Sequence, residues 1–226
     1  MIRTGRSFLC GYLLIVLATD GCATHRRDAF LKLHSLDRFI ADRPQAGSLL
    51  QQYPALEQWL HTEWNRPIGD YRIYWSDEKP AASSTAEHAS LPQAHLIVIR
   101  VSKTLAPVDQ LFALSYETCN AQERSGFDAV CAQAAVGKVT RQDFVNEIDF
   151  REYAAILRLK KCFPKLLPLS SNEVANTTLY CKLLEVPDEF REYQAWSIRT
   201  HSANYLHAQE LYGREYDLLV KKGSYP

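Results

Sequence analysis

Hydrophobic periodicity changes from helical to strand-like and back again along this chain of 226 residues, and that pattern restricts the fold more than any other feature. Only two short stretches look like strands: "YRIYW" at 71–75 alternates, and "AHLIVIRV" at 94–101 is rich in β-branched residues. The segment between them, "SDEKPAASSTAEHASLPQ", is small, polar and interrupted by proline, which predicts an exposed loop. Helical periodicity dominates from Pro107 onward.

Helical patterns also precede the two strands. "RRDAFLKLHSLDRFI" and "SLLQQYPALEQWLHTEW" each carry apolar residues at helical spacing, and Pro54 predicts a step in the second. Thr140 and Asp143 have the spacing of a capping box. After the strands, helices are predicted at 107–124, about 127–135, 140–163 and 171–185, and one long helix or two at 187 to about 222. The sequence therefore predicts a mostly helical α+β fold, with a small two-stranded β element packed against about seven helices.

The N-terminus has the three parts of a secretory signal peptide. Arg3 and Arg6 are followed by an apolar run of 11 residues, 8–18, and then by "TDGCAT". Eleven residues are too few to span a bilayer as a helix. We therefore expect residues 1–21 to be a signal peptide that is cleaved before Cys22.

Gly21-Cys22 resembles the processing site of a bacterial lipoprotein, although Thr19 and Asp20 depart from that pattern. Ordinary cleavage after Ala23 is the alternative. The resemblance implies an exported protein of the bacterial cell envelope that is held at the membrane by acyl chains on Cys22. It would have an N-terminal helical segment at 22–68 and a core domain at 69–226.

Composition and cysteine content limit the partners and the bonding. A hydrophobic content of 46%, a charged content of 23% and a net charge of zero indicate a globular protein with no reason to bind nucleic acid.

Cys10 would leave with the signal peptide and Cys22 would carry lipid. The four remaining cysteines permit two disulfides in an exported protein, and pairing of sequence neighbours predicts Cys119–Cys131 and Cys162–Cys181.

The segment "LSYETCNA" at 114–121 has the frame of the H-E-x-x-H zinc-peptidase signature without its histidines. Tyr116 and Asn120 stand where the two zinc-binding histidines would be, and Glu117 stands where the general base would be. A strand, this helix and further helices resemble the minimal core of that superfamily. The resemblance implies a third metal ligand from a later helix, for which Glu147 or Glu152 is suitably placed.

The replacements remove the means of binding zinc. A phenol titrates near pH 10 and an amide is neutral, so Tyr116 and Asn120 are poor metal ligands. The other histidines are scattered, and His201 and His207 are six residues apart rather than four. We therefore expect neither metal nor cofactor. The predicted function is binding of a peptide, glycan or envelope protein by a remnant cleft, lined by Tyr116, Glu117, Asn120, Glu147 and Glu152.

Two alternatives stay open. The first is a metal-independent hydrolase that uses Glu117 or Glu152 as acid or base. The second is a helical adaptor in which the motif at 114–121 is part of an ordinary packed helix. The acidic side chains Asp143, Glu147, Asp149 and Glu152 are interpreted as a solvated face, and the tyrosines of the C-terminal third, including Tyr212 and Tyr216, mainly as core.

Overall fold

The structure is a computed structural model that describes residues 36–80, 86–91 and 95–223. The predicted signal peptide, Cys22 and the start of the first predicted helix lie outside these residues. The described part begins with three helices: α1 (Leu36–Asp42), α2 (Pro44–Gln52) and α3 (Pro54–Asn65). Pro44 and Pro54 each stand in a first turn, where no backbone donor is needed, and the predicted step at Pro54 is confirmed.

A three-stranded sheet follows, with β1 (Arg72–Trp75), β2 (Ala86–Leu91) and β3 (Leu96–Val101). The strand order is β1-β3-β2, so the apolar β3 is central. β1 runs parallel to β3, with Arg72 opposite Leu96. β2 runs antiparallel to β3, with Ala86 opposite Val101. Both predicted strands are therefore present, and the predicted count of two strands is wrong.

The additional strand, β2, lies in the segment that the sequence predicts to be a loop. Its letters, "AEHASL", contain no β-branched residue, so local propensity does not favour a strand. Pairing with β3 provides the missing stabilisation, and cross-strand neighbours Glu87 and Arg100 form an ion pair of 3.0 Å. The strand thus depends on contacts that lie far away in the sequence.

Helices make up the remainder of the described chain. The first three of these are α4 (Pro107–Gln122), α5 (Arg124–Ala135) and α6 (Arg141–Leu166). The Thr140 hydroxyl accepts a 3.1 Å hydrogen bond from the Asp143 backbone N–H, which confirms the predicted N-cap of α6. The predicted helix at 171–185 is divided into α7 (Ser171–Ala175) and α8 (Tyr180–Glu185), and a single long helix, α9 (Phe190–Gly223), ends the described chain. The mostly α, α+β class is confirmed, with nine helices in the described residues instead of about seven.

Two hydrophobic clusters hold these elements together. The main core unites α1 to α3, the sheet, α4, much of α6, and the region from α8 to the start of α9. A second, smaller cluster lies between α5, the start of α6 and the later part of α9, where Phe127, Phe144 and Tyr212 are buried. α4 packs against β2, β3, α2, α3 and α6, and is therefore the central helix of the fold.

Candidate functional site

The helix that carries the zinc-peptidase frame is enclosed by the rest of the protein. Thirteen consecutive residues of α4, 109–121, are buried, including polar ones. Thr118 accepts a 3.0 Å hydrogen bond from the Trp64 indole and donates to the Leu114 carbonyl. A helix that is buried all round must satisfy its polar side chains internally. The frame residues Tyr116, Glu117 and Asn120 are between 0% and 1% exposed.

Glu117 has a partner that the sequence does not reveal. Its Oε2 lies 2.8 Å from Nδ1 of His88 on β2, and both side chains are buried. A buried carboxylate requires such a partner, because removal from water without one is costly. The prediction treats His88 as one of several scattered histidines. The sequence contains one weak clue, the alternation of Ala86, His88 and Ser90, which places His88 and Ser90 on the same face of a strand.

Glu152 joins this group from the neighbouring helix α6. It is 7% exposed, and burial raises its pKa well above the ordinary value, with a further rise from Asp149 and Glu117. The Tyr212 hydroxyl of α9 hydrogen-bonds to Glu152 and acts in the opposite direction. Burial therefore favours the protonated form of Glu152, whose carboxyl group can donate a hydrogen bond.

Tyr116 and Asn120 lie side by side in the same region. Burial raises the pKa of Tyr116 well above its ordinary value, the nearby Glu152 and Glu117 raise it further, and Asn120 opposes them. Several polar atoms here have no well-formed hydrogen bond to any described residue: the Tyr116 hydroxyl, both amide atoms of Asn120, Glu117 Oε1 and His88 Nε2. We call these five residues, His88, Tyr116, Glu117, Asn120 and Glu152, the buried polar cluster.

Glu147, the fifth predicted cleft residue, lies outside the cluster. Its side chain is 51% exposed and lies 3.7 Å from Arg151, one turn along α6. Five residues separate Glu147 from Glu152, which corresponds to about 140° around a helix, so the two carboxyl groups face different directions. The prediction for Glu147 is wrong for this reason. The solvated-face interpretation suits Asp143 and Glu147, which are exposed, but Asp149 and Glu152 are buried.

The chemistry available in the cluster is hydrogen bonding. The cluster contains hydrogen-bond donors, hydrogen-bond acceptors and one buried pair of a histidine and a glutamate side chain. No group of three or more His, Cys, Asp and Glu side chains in the described part of the chain is arranged to hold a metal ion. The cluster residues are at most 7% exposed, so they form an enclosed site rather than the open cleft that we expected.

The four described cysteines are free thiols, and neither predicted disulfide is formed. Cys119 belongs to the main core, whereas Cys131 packs against the second cluster, so sequence neighbours are in different parts of the interior. Cys181 donates from its Sγ to the Thr177 carbonyl at 3.1 Å. Burial raises the pKa of Cys131 to about 12 and that of Cys119 further, which keeps both thiols protonated.

A separate pocket of about 550 Å³ lies where α3 leads into β1. It is lined by residues 64–67 and 69–72, and none of these belongs to the buried polar cluster. Arg66, at its edge, is already paired with Glu63 at 3.3 Å. The pocket is therefore not an entrance lined by the cluster residues.

Comparison with protein-family models, curated proteins and solved structures gives no match to this chain. Among the helices of the described residues, none combines the length and the apolar character that crossing a membrane requires. Interpretation of the site therefore depends on the residues themselves.

Proposed function

We propose that this protein is an exported, lipid-anchored component of the bacterial cell envelope that binds a ligand through a metallopeptidase-like centre without zinc. One observation carries the proposal. Tyr116, Glu117 and Asn120 of α4 and Glu152 of α6 converge on one buried region, where Glu117 Oε1 and the polar atoms of Tyr116 and Asn120 form no well-formed hydrogen bond, although Tyr116 and Asn120 lie within reach of each other. In an ordinary helix–helix interface, polar side-chain atoms are either hydrogen-bonded within the protein or exposed to water.

The burial of Glu117 and its contact with His88 favour binding over hydrolysis. In a peptidase of the H-E-x-x-H type, the glutamate between the histidines must take a proton from a metal-bound water. Here Glu117 is engaged with His88 at 2.8 Å and is 0% exposed. The phenol of Tyr116 and the amide of Asn120 are hydrogen-bonding groups rather than zinc ligands.

The unpaired atoms indicate the chemistry of the ligand. Asn120 offers a donor and an acceptor, the Tyr116 hydroxyl can act as either, and protonated Glu152 can donate. Such a set matches amide or hydroxyl groups, which are found in peptides and glycans. We therefore propose a neutral peptide or glycan segment, free or part of an envelope protein, as the ligand.

A second candidate, the metal-independent hydrolase, is favoured by one specific observation. The two carboxyl groups have different surroundings: burial raises the pKa of Glu152, while Glu117 lies 2.8 Å from His88. Two carboxyl groups in contrasting surroundings are typical of acid–base pairs in hydrolases. In this alternative, Glu152 supplies a proton and Glu117, oriented by His88, accepts one.

A single experiment distinguishes the two candidates. Purified protein is incubated with a library of peptides and of cell-wall glycan fragments, and each sample is tested for a thermal shift and for cleavage products by mass spectrometry. The binding proposal predicts a shift with an intact ligand, which Asn120→Leu abolishes and Glu147→Gln, an exposed carboxylate on the same helix as Glu152, preserves. Cleavage that is lost in Glu152→Gln would establish the hydrolase instead. Binding that survives every cluster substitution would contradict both and favour the adaptor.

The lipid anchor is tested independently of the ligand. Cys22→Ser removes the thiol that would be acylated. The unsubstituted protein should sediment with membranes and need detergent for release, and the variant should not. A Cys181→Ser variant, altered in a partly buried thiol of the folded part, serves as the control and should remain with the membranes. Equal membrane association of both variants would contradict the anchor.

A further inference from the structure

α9 packs against α6 beside the buried polar cluster and makes polar contacts with Glu152 of the cluster and with the neighbouring Asp149. The Tyr212 hydroxyl hydrogen-bonds to Glu152, and Gln194 donates to Asp149 at 3.2 Å. Tyr193, near the start of α9, is close enough to Tyr116 to raise its pKa. Because the cluster residues are at most 7% exposed, a ligand can reach them only if a covering element moves.

The later part of α9 is held by a small interface of its own. Tyr212 and Ala208 are buried in the second cluster, which is separate from the main core. Tyr216 donates to the Val139 carbonyl at 3.0 Å at the edge of this interface. A segment whose hydrophobic cluster is separate from the main core can open without global unfolding.

Acidic groups outnumber the cations at this interface. Glu215 lies one turn after Tyr212 and faces Arg124, Asp128 and Cys131 of α5. One of its oxygens, Oε1, is buried with no hydrogen-bond partner among the described residues. Arg124, the described cation that acts on Glu215, is already bonded to the Ser90 hydroxyl at 2.7 Å and to Asp128.

The surroundings of Glu152 are similar. The ionisable groups that act on it are Asp149 on its own helix, Glu117 of α4 and Tyr212 of α9. The arginines of α6 nearest this interface are used elsewhere: Arg141 lies 3.3 Å from Asp217, and Arg151 lies 3.7 Å from Glu147 and 3.8 Å from Glu123. Among the groups that act on Glu152 there is no described cation, and the charge of an ionised Glu215 would be offset only by Arg124, which already binds Asp128.

We propose that α9 is a pH-dependent cover over the buried polar cluster, seated when Glu152 and Glu215 are protonated and loosened when they ionise. The role of this cover in ligand access rests on the proposed binding function. The opening itself does not, since it follows from the charges and the packing of α9.

The direction of the pH effect follows from linkage. Burial raises the pKa of Glu215 from 4.5 to about 7, and that of Glu152 well above its ordinary value. A carboxyl group whose pKa is raised in the closed state stabilises that state fully below its ordinary pKa, and this stabilisation is lost as the pH rises through the raised value. For Glu215 the loss occurs between about pH 4.5 and pH 7. For Glu152 the loss occurs as the pH rises through its raised pKa.

Hydrogen–deuterium exchange of the whole chain tests the proposal without any ligand. Exchange is followed at pH 5.5 and pH 8.5, with labelling times scaled to the intrinsic exchange rate at each pH. Protection of peptides covering 208–221 should fall about tenfold or more from the lower to the higher pH, while peptides from α4 keep theirs. Glu215→Gln should reduce this fall, Glu152→Gln should reduce it further, and Glu147→Gln should leave it unchanged.

Three results would overturn the cover. The first is protection of α9 that does not depend on pH. The second is a parallel loss of protection in α4, which would mean global destabilisation. The third is a full pH response in Glu215→Gln, which remains informative even if Glu152→Gln fails to fold, because Glu215 is only partly buried. A failed ligand search would leave this experiment unaffected, so the two proposals can fail separately.

Discussion

At the residue scale, the interior of this protein contains ionisable groups at positions where a typical domain has apolar ones. Asp109, Glu117, Asp149 and Glu152 are all at most 7% exposed, as is His88. Charged residues are rarely buried unless they are paired or hydrogen-bonded. Each of these groups has a specific protein partner: Asp109 accepts backbone N–H groups, Glu117 has His88, Asp149 has Gln194, and Glu152 has Tyr212.

The His88–Glu117 pair leads to a prediction about stability. His88→Leu should destabilise the protein by about 3 to 5 kcal/mol, because it leaves the Glu117 carboxyl group buried without its partner. His88→Leu combined with Glu117→Leu should recover most of that loss, since no buried charge remains. Urea unfolding followed by circular dichroism measures both free energies.

An exposed ion pair provides the comparison for this measurement. Arg214 and Glu210, both more than half exposed, are paired at 2.5 Å on α9. Arg214→Gln should change the free energy of unfolding by less than about 1 kcal/mol. If His88→Leu lowers the free energy of unfolding no more than Arg214→Gln does, His88 does not stabilise the buried Glu117.

At the scale of elements, one acidic side chain connects two helices. Asp109, in the first turn of α4, accepts backbone hydrogen bonds from Thr178 at 2.8 Å, Leu179 at 2.8 Å and Tyr180 at 3.3 Å. These are the free N–H groups at the start of α8, which has no side-chain cap of its own. Asp109 therefore acts as a cap supplied by a different helix.

Replacement of this cap should have a large effect. Asp109→Ala should lower the free energy of unfolding by about 3 kcal/mol or more, because three backbone N–H groups lose a charged acceptor. Asp109→Asn keeps one acceptor oxygen and should cost roughly half as much. The measurement is urea unfolding, supplemented by limited proteolysis at 176–180.

Asp143 is the matched control for the cap. It also lies in the first turn of a helix, but it is exposed. Asp143→Ala should cost about 1 kcal/mol or less. A cost for Asp109→Ala within the range of this control would show that α8 is held by its apolar contacts alone.

At the scale of the whole molecule, the cluster joins two parts of the fold. α4 follows the sheet and carries Tyr116 and Asn120, whereas α6 belongs to the helical half and carries Glu152. Their packing, rather than any one element, brings the three side chains together. In the resemblance to zinc peptidases, two ligand positions lie on one helix and the third lies on a later helix. The relative position of α4 and α6 therefore decides whether these three positions can meet.

This relation can be tested by adding the missing metal ligands. Tyr116→His combined with Asn120→His places two imidazoles four residues apart, with Glu152 as the third ligand. The double variant should take up about one zinc ion per chain, measured by mass spectrometry, and its melting temperature should rise with zinc. Addition of Glu152→Gln should abolish the uptake, whereas addition of Glu147→Gln should not. A folded double variant that takes up no zinc would contradict the proposed metallopeptidase-like centre.

Some features of this protein are determined by the sequence alone, because they depend on residues close together in the chain. The two strands at 71–75 and 94–101, the helix boundary at Pro54 and the N-cap at Thr140 follow from local periodicity, proline geometry and capping, and the structure has all four.

Other features were decided only by the tertiary structure. β2 forms because β3 is beside it, His88 becomes the partner of Glu117 through that strand, and Glu147 is excluded by its direction on α6. The described cysteines are free, and Cys119 and Cys131, neighbours in sequence, lie in different hydrophobic clusters. Local propensity contains no information on these pairings, since the free energy of a buried polar contact depends on groups that only folding brings together.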